Sequence, residues 1–429
     1  MASSSRPSET HIDPIQAAVT VAALSDIGMR RRNNQDSMAT NLADGVAAWE
    51  RSGHLFIVAD GMGAHAAGEL ASRLAVDLIQ HHYEKQQQPR PIENLHRAII
   101  EANNEIFRRG QANIEFRNMG TTCSVLALLP EGAICAHVGD SRIYRLRGTL
   151  LEQLTFDHSL IWEMHAAGGL DDAAMQSSPI PKNVITRSLG PNASVLIDLE
   201  GPMPILVGDK FLVCSDGLSG QLTDIEIGIL MSLLAPEIAA QAMLDLANLR
   251  GGPDNVTLIV TQVVGAELAT QRDTQLAAAR PPGKSLPFPW PFAVASAICL
   301  LTAAILWMAG LIPIAIAVAI VGFVALLIGA IRFQISRPST ERDSQQFGRS
   351  PYRHFQCHAD ATMVERLSGT IQALREAALE NRWNEAVTVI DETLPAGEKA
   401  ENNRDFPAAV RLYATTMVEA MKRIRSAKQ

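Results

Sequence analysis

Between Lys284 and Arg332 the chain carries no charged side chain, a run of 47 residues from Ser285 to Ile331. A bilayer-crossing helix needs about 20 apolar residues. The run is too long for one span and right for two. Gly310 and Pro313 sit in its middle, where a tight turn would fall. The expectation is a transmembrane helical hairpin over 292–333, with Phe292–Ala309 out and Pro313–Phe333 back. Arg280 and Lys284 flank one end, and Arg332, Arg337 and Arg342 the other. The positive-inside rule then puts both ends in the cytoplasm and membrane lipid around the hairpin. A buried helical hairpin and a single tilted span are the competing readings; neither suits a long stretch without a polar face.

The hairpin divides the chain. Residues 1–18 are polar and Ser-rich, read as a disordered tail, and lack the apolar core of a secretory signal. Residues 19–264 read as one compact domain, 265–291 as a linker, 334–356 as a second linker, and 357–429 as a small helical cytoplasmic domain. A formal net charge of −8 with no long basic block argues against nucleic acid as a partner. Five scattered cysteines without a CxxC pair exclude a disulfide scaffold and argue against a thiolate zinc site.

Within 19–264, His54–Ala59 is an apolar run of buried-strand type. Helical periodicity follows over Ala67–Tyr83 and Ile92–Arg108. Three strands then come without helices between them: Thr122–Leu129, Ala133–Val138 and Arg142–Leu146. Such short connections imply antiparallel pairing. Thr223 and Glu226 have capping-box spacing before another helical stretch, and Val256–Val263 supplies a final strand. Helix pairs set between runs of strands give an α+β class, not a doubly wound parallel sheet.

Five short segments place aspartates at strand boundaries: Asn34-Gln35-Asp36, Asp60-Gly61-Met62-Gly63, Val138-Gly139-Asp140-Ser141, Ser215-Asp216-Gly217 and Pro253-Asp254-Asn255. Asp-Gly alone is a common hairpin turn. Five such segments point carboxylates into a common cleft, where hard divalent cations find oxygen ligands. No GxSxG, HExxH or P-loop GK[ST] competes.

In order along 21–264, these motifs, with Ser25-Asp26-Ile27-Gly28, Arg31, Met119-Gly120-Thr121-Thr122 and Thr155…Asp157-His158-Ser159, resemble the metal-dependent serine/threonine protein phosphatases of type 2C, in their bacterial form. The resemblance implies an antiparallel β-sandwich flanked by helix pairs (αββα), with Mn²⁺ or Mg²⁺ at one edge. It implies that Asp60 bridges two metals, that Asp216 and Asp254 complete one, that the Gly61 carbonyl serves the other, and that Asp36 acts mainly through a metal-bound water. Asp140, helped by Asp216, matches the place of a third, weaker metal, and Arg31 matches the arginine that grips the phosphate. Arg31, Asp36 and Asp60 are thus the catalytic candidates. Such a site would hydrolyse phosphoserine and phosphothreonine, with a serine/threonine kinase and its targets as partners and, given the hairpin, a bacterial inner-membrane location. The rival is a membrane-tethered scaffold that binds phosphoproteins with little activity.

Two positions depart from the family. Met62 stands where plant and animal members have a histidine, with His65 nearby, and Ala64 replaces a glycine. The stretch His165–Ser188 matches the family's mobile flap beside the active site. In the tail, Met363–Leu379, Trp383–Leu394 and Pro407–Met421 have helical periodicity. Trp383-Asn384-Glu385-Ala386 echoes Phe406-Pro407-Ala408-Ala409 at a spacing of 23, short of the tetratricopeptide repeat of about 34.

Overall fold

The structure, a computed structural model, describes residues 13–63, 66–85, 91–168, 184–270, 299, 301–314, 316, 318–319, 322 and 347–428. Two antiparallel sheets carry the fold. One runs β1 (Val19–Asp26), β11 (Val256–Val263), β10 (Lys210–Cys214), β7 (Arg142–Arg147), β8 (Leu150–Gln153), β12 (Arg353–Gln356). The other runs β2 (Asp36–Asn41), β3 (His54–Met62), β5 (Cys123–Leu129), β6 (Gly132–Val138), β9 (Asp198–Met203), with the short β4 (Gly120–Thr121) beside β3. The expected αββα sandwich is the one observed.

Each layer follows from the residue pattern. β5 and β6 are buried at every position, because both their faces are covered. Between the sheets, Phe56, Val58, Leu126, Phe211, Val213 and Ile259 form the central core. Outside β3 and β5, the helices Ala67–Lys85 and Pro91–Ala112 bury Ala71, Ala75, Ile79, Leu95, Ile99 and Ile106. Outside the other sheet lie the helices Asp224–Leu233 and Pro236–Leu249. The first is opened by the expected capping box: the Thr223 hydroxyl accepts from the Glu226 N–H, and the Glu226 carboxylate accepts from the Thr223 N–H.

The C-terminal segment is built onto this sandwich; residues 346–429 and 1–270 make one compact unit. β12 extends the first sheet through β8. Three helices, Ala361–Glu380, Asn384–Asn402 and Phe406–Lys428, share one apolar core with Asp224–Leu249 that includes Leu230, Met243, Leu367, Ile371, Tyr413 and Met417. Two charged contacts tie them down: Arg425 to the fully buried Asp245, and Arg366 to Glu226 at 3.2 Å. Parts of the expected tail and linkers are therefore ordered: Pro14–Ala17 forms a turn capped by Asp13 with Ile15 buried, and Leu268 is buried.

The transmembrane hairpin over 292–333 is overturned. Among the described residues no helix is long and apolar enough to cross a membrane. Within the run, the described residues 299, 301–308, 312–314, 316, 318–319 and 322 are helical, with a turn at Ala309 and Gly310 (φ +78°), where a turn was expected. The multi-pass inner-membrane placement and the membrane-lipid partner rested on that hairpin and fall with it. The rest of the 292–333 stretch lies outside the described residues.

Candidate active site

The aspartates converge because the strands that carry them end at the same edge of the sandwich. Asp36 opens β2 and lies directly across from Asp60 on β3. Asp216 follows β10, Asp254 precedes β11, and Asp140 sits in the turn between β6 and β7. A cavity of about 210 Å³ is lined by Arg31, Asp60, Gly61, Asp140, Asp216 and Asp254 among others, with Ile185 on one wall. The structure thus brings together six of the seven expected site residues at this cavity. The seventh, Asp36, is buried beside Asp60 and does not line it.

Backbone contacts lock the loops. The carbonyl of Asp60 accepts from the Thr122 N–H and the Thr121 hydroxyl, both at 2.9 Å, and its N–H donates to the Thr122 hydroxyl at 2.8 Å. Gly61 donates to the Gln35 carbonyl at 3.1 Å. A Cβ on Gly61 would stand 2.2 Å from the Gly68 carbonyl oxygen and 2.5 Å from that of Gln35, so only glycine fits. Asn255 stitches the loop bearing Arg31 to the Asp254 loop: its side chain accepts from the Gln35 N–H at 2.8 Å and donates to the Ile27 and Asn33 carbonyls. Gly28, at φ +78°, lets the two loops approach; a Cβ there would meet the Asp254 carbonyl oxygen at 2.2 Å. Arg31 then reaches Asp254 at 2.6 Å from the cavity rim.

So much negative charge in one place is reflected in the carboxyl groups. Burial pushes Asp36 up to about 6, with the Asp216 and Asp254 charges adding to it and hydrogen bonds from Thr257 and Ser215 opposing. Asp140 is pushed up to about 8 by burial and by Asp216 and Asp157. Asp60 and Asp216, whose carboxyl groups are in hydrogen-bonding reach of each other, are both raised, first by burial. One oxygen each of Asp36, Asp140 and Asp216 is buried with no hydrogen-bond partner in the protein. Oxygens of that kind, in a site without His or Cys, suit hard divalent cations. Among the described residues no three acidic, histidine or cysteine side chains gather closely enough round one point to cage an ion unaided.

The sequence model of protein phosphatase 2C matches residues 30–242. A putative protein phosphatase 2C-type of Streptococcus pyogenes is 37% identical over 244 residues, which are 56% of this chain and 95% of the relative. Protein phosphatase PhpP of Streptococcus pneumoniae is 34% identical over 57% of this chain and 97% of its own length. This chain belongs to the protein phosphatase 2C family. Among solved structures, the serine/threonine phosphatase PstP/Ppp of Mycobacterium tuberculosis superposes with a TM-score of 0.52 at 30% identity, covering 58% of this chain and 99% of that one. The serine/threonine phosphatase of S. agalactiae gives 0.52 at 33% identity, covering 57% and 99%. The chain is thus a metal-dependent protein serine/threonine phosphatase, and phosphoproteins are its substrates.

Some functional neighbours were not legible as such. The Ser215 hydroxyl donates to Asp36 at 2.8 Å and accepts from the Thr257 N–H at 3.0 Å. His158 holds the turn before Asp140 from both sides: its N–H donates to the Gly139 carbonyl at 2.7 Å, and its Nδ1 accepts from the Gly139 N–H at 3.0 Å. Neither role has a local sequence signal, since each joins residues far apart in the chain. Ala64, His65 and flap residues 169–183 lie outside the described residues.

Proposed function

We propose that this phosphatase works through two Mn²⁺ or Mg²⁺ ions held by Asp60, the Gly61 carbonyl, Asp216 and Asp254. Asp36 would act from beneath through water, and Asp140 would hold a third, weaker ion with help from Asp216. When bound, such ions supply charge neutralisation of the phosphate dianion and a water made nucleophilic at neutral pH. The observation that carries the reading is the set of buried carboxylate oxygens without partners on Asp140 and Asp216 at the cavity and on Asp36 beside Asp60. In the folded protein these groups gain from a cation what they lack from hydrogen bonds.

The chain's own residues do the rest. Arg31 stands at the cavity rim, about half exposed, with a planar guanidinium that can bind two phosphate oxygens. It is held there by Asp254 at 2.6 Å and the Pro253 carbonyl at 3.4 Å. Thr121 and Thr122 fix the Asp60 backbone, so the carboxylate needs little reorganisation. The sheet ends fix the positions of the site's side chains, and such positioning supplies much of the rate in phosphoryl transfer. Phosphoserine and phosphothreonine are products of kinases, so a serine/threonine kinase and its targets form the partner class.

The rival reading, a phosphoprotein-binding scaffold with little activity, keeps the pocket but no turnover. Hydrolysis of p-nitrophenyl phosphate by the full chain, with EDTA and then with added Mn²⁺, separates the two. The phosphatase reading expects activity lost in EDTA and restored by Mn²⁺. Binding of a phosphothreonine peptide without Mn²⁺-dependent turnover would establish the scaffold instead.

A further inference from the structure

The segment 347–357 crosses the end of the sandwich and touches both sheets. Phe347 pairs through its backbone with Gly201 on β9. Glu200 then accepts from the Ser350 N–H at 2.8 Å and from the Tyr352 hydroxyl. From the next residue, Arg353, the chain is β12, paired to β8. Cys357 closes the segment: its N–H donates to the Thr149 carbonyl at 2.8 Å, and its sulfur sits where a Gly228 side chain would be, 2.2 Å from an added Cβ. The segment lies beyond the family match at 30–242. The matched relatives are used up almost to their full length by 56–57% of this chain.

Between these anchors, two side chains of the segment reach the aromatic pair Trp162 and Phe156. The Arg353 guanidinium lies over the Trp162 ring, 5.5 Å from its centroid, and the Arg142 guanidinium lies 5.6 Å from the same ring. The Tyr352 ring packs 5.5 Å from Phe156, which meets Trp162 edge-on at 5.3 Å. Trp162 belongs to the short helix Leu160–Ala166. That helix is tied to residues 184–186: Leu160 N–H donates to the Val184 carbonyl at 2.9 Å, Ser159 bridges Ile185, and the Thr186 hydroxyl donates to Glu163 at 2.6 Å. Ile185 is a wall of the cavity that holds Asp60, Asp140 and Asp254.

We propose that residues 347–357 are a built-in positioning strap for phosphosubstrate binding: Arg353 and Tyr352 hold Trp162 and Phe156, and through the Ser159–Ile185 bridge they set the wall against which the substrate lies. Arg353 is a positioning residue and makes no contact with the reacting atoms. The inference rests on the phosphatase reading of the cavity, because the wall matters only if a phosphosubstrate enters it. The strap supplies a specificity element from sequence outside the family domain, so substrate choice is partly written in the C-terminal third of the chain.

The test uses the full chain with Mn²⁺ and a phosphothreonine peptide. Arg353→Ala is expected to raise KM at least about fivefold while kcat stays within about twofold, and Arg353→Lys, which keeps a cation over the ring, to recover most of that KM. Amide exchange should rise about tenfold over 159–166 and 184–187 in R353A and stay unchanged in β3 and β5. A drop in kcat at constant KM, without rescue by lysine, would mean a general folding role and overturn the proposal. Unchanged exchange over 159–166 and 184–187 would overturn it too. If R353A does not fold, Trp162→Phe decides: a KM rise with greater exchange over the same residues supports the strap, and wild-type values refute it. A wild-type chain without Mn²⁺-dependent turnover would instead refute the phosphatase reading, while the exchange comparison still reports on the contact.

Discussion

Glu226 joins the catalytic sandwich to the C-terminal helices, and Glu226→Gln tests how much that junction contributes. The side chain is 4% exposed. It accepts from Arg250 at 2.6 and 2.9 Å, from Arg366 at 3.2 Å, and from the N–H and hydroxyl of Thr223 at 2.9 and 3.0 Å. Burial opposes ionisation of Glu226, but hydrogen bonds from Arg250 and Thr223 and the Arg250 charge outweigh it and hold the carboxyl down to about 2 from an ordinary 4.5. That depression corresponds to roughly 3 kcal/mol of folding stability at pH 7. The same size follows from the known cost, about 3–5 kcal/mol, of removing one partner from a buried pair. The folded value lies below the unfolded one, so the stabilisation is complete above pH 4.5 and is lost as pH falls through about 2. Glutamine keeps the shape and loses the charge. At about 2 °C per kcal/mol for a large unit, Glu226→Gln should lower the melting temperature by about 6 °C at pH 7. The gap should narrow as the pH is taken from 4.5 towards 2. Circular dichroism melts of both proteins across that range are sufficient. Melting within about 1 °C of wild type at pH 7, or a gap that widens in acid, would refute the reasoning.

Other outcomes follow from the site. Asp60→Asn, and separately Asp254→Asn, should lower Mn²⁺-dependent turnover by about 10³; for Asp60→Asn the melting temperature should hold or rise, since a crowded carboxylate is removed, and retention of a normal rate would take these residues out of the site. Arg31→Ala should lower kcat/KM by about 10- to 100-fold, the loss of a charge-assisted bond of about 1.5–3 kcal/mol, with Mn²⁺ affinity by calorimetry nearly unchanged. Gly61→Ala should destroy Mn²⁺-dependent activity, because its methyl would stand 2.2 Å from the Gly68 carbonyl oxygen; ordinary turnover in that variant would show that the β3 loop is looser than described.

The catalytic sandwich was legible because its signals are local. His54–Ala59 and Val256–Val263 are apolar runs that had to be buried strands, and Thr223 with Glu226 announces a helix start. The convergence of Asp36, Asp60, Asp140, Asp216 and Asp254 could be anticipated from their positions at strand ends, since strand ends at one edge share a cleft. The strap could not. β12 is a four-residue, half-buried edge strand in a polar stretch, and its partner β8 is 200 residues earlier. The notch at Gly228 that receives Cys357 is a property of shape, invisible in a hydropathy pattern. The charge-free run at 285–331 misled for the opposite reason. It is a strong signal of composition, but composition alone does not make a spanning helix, and among the described residues none is long and apolar enough to cross a membrane.

Anomalous scattering at the manganese edge, from crystals of the full chain grown with Mn²⁺, bears most directly on how this phosphatase readies water. Two strong peaks are expected within bonding distance of Asp60, flanked by Asp216 and Asp254 on one side and the Gly61 carbonyl on the other. A well-ordered cavity with no anomalous density beside Asp60 would contradict the metal-based account.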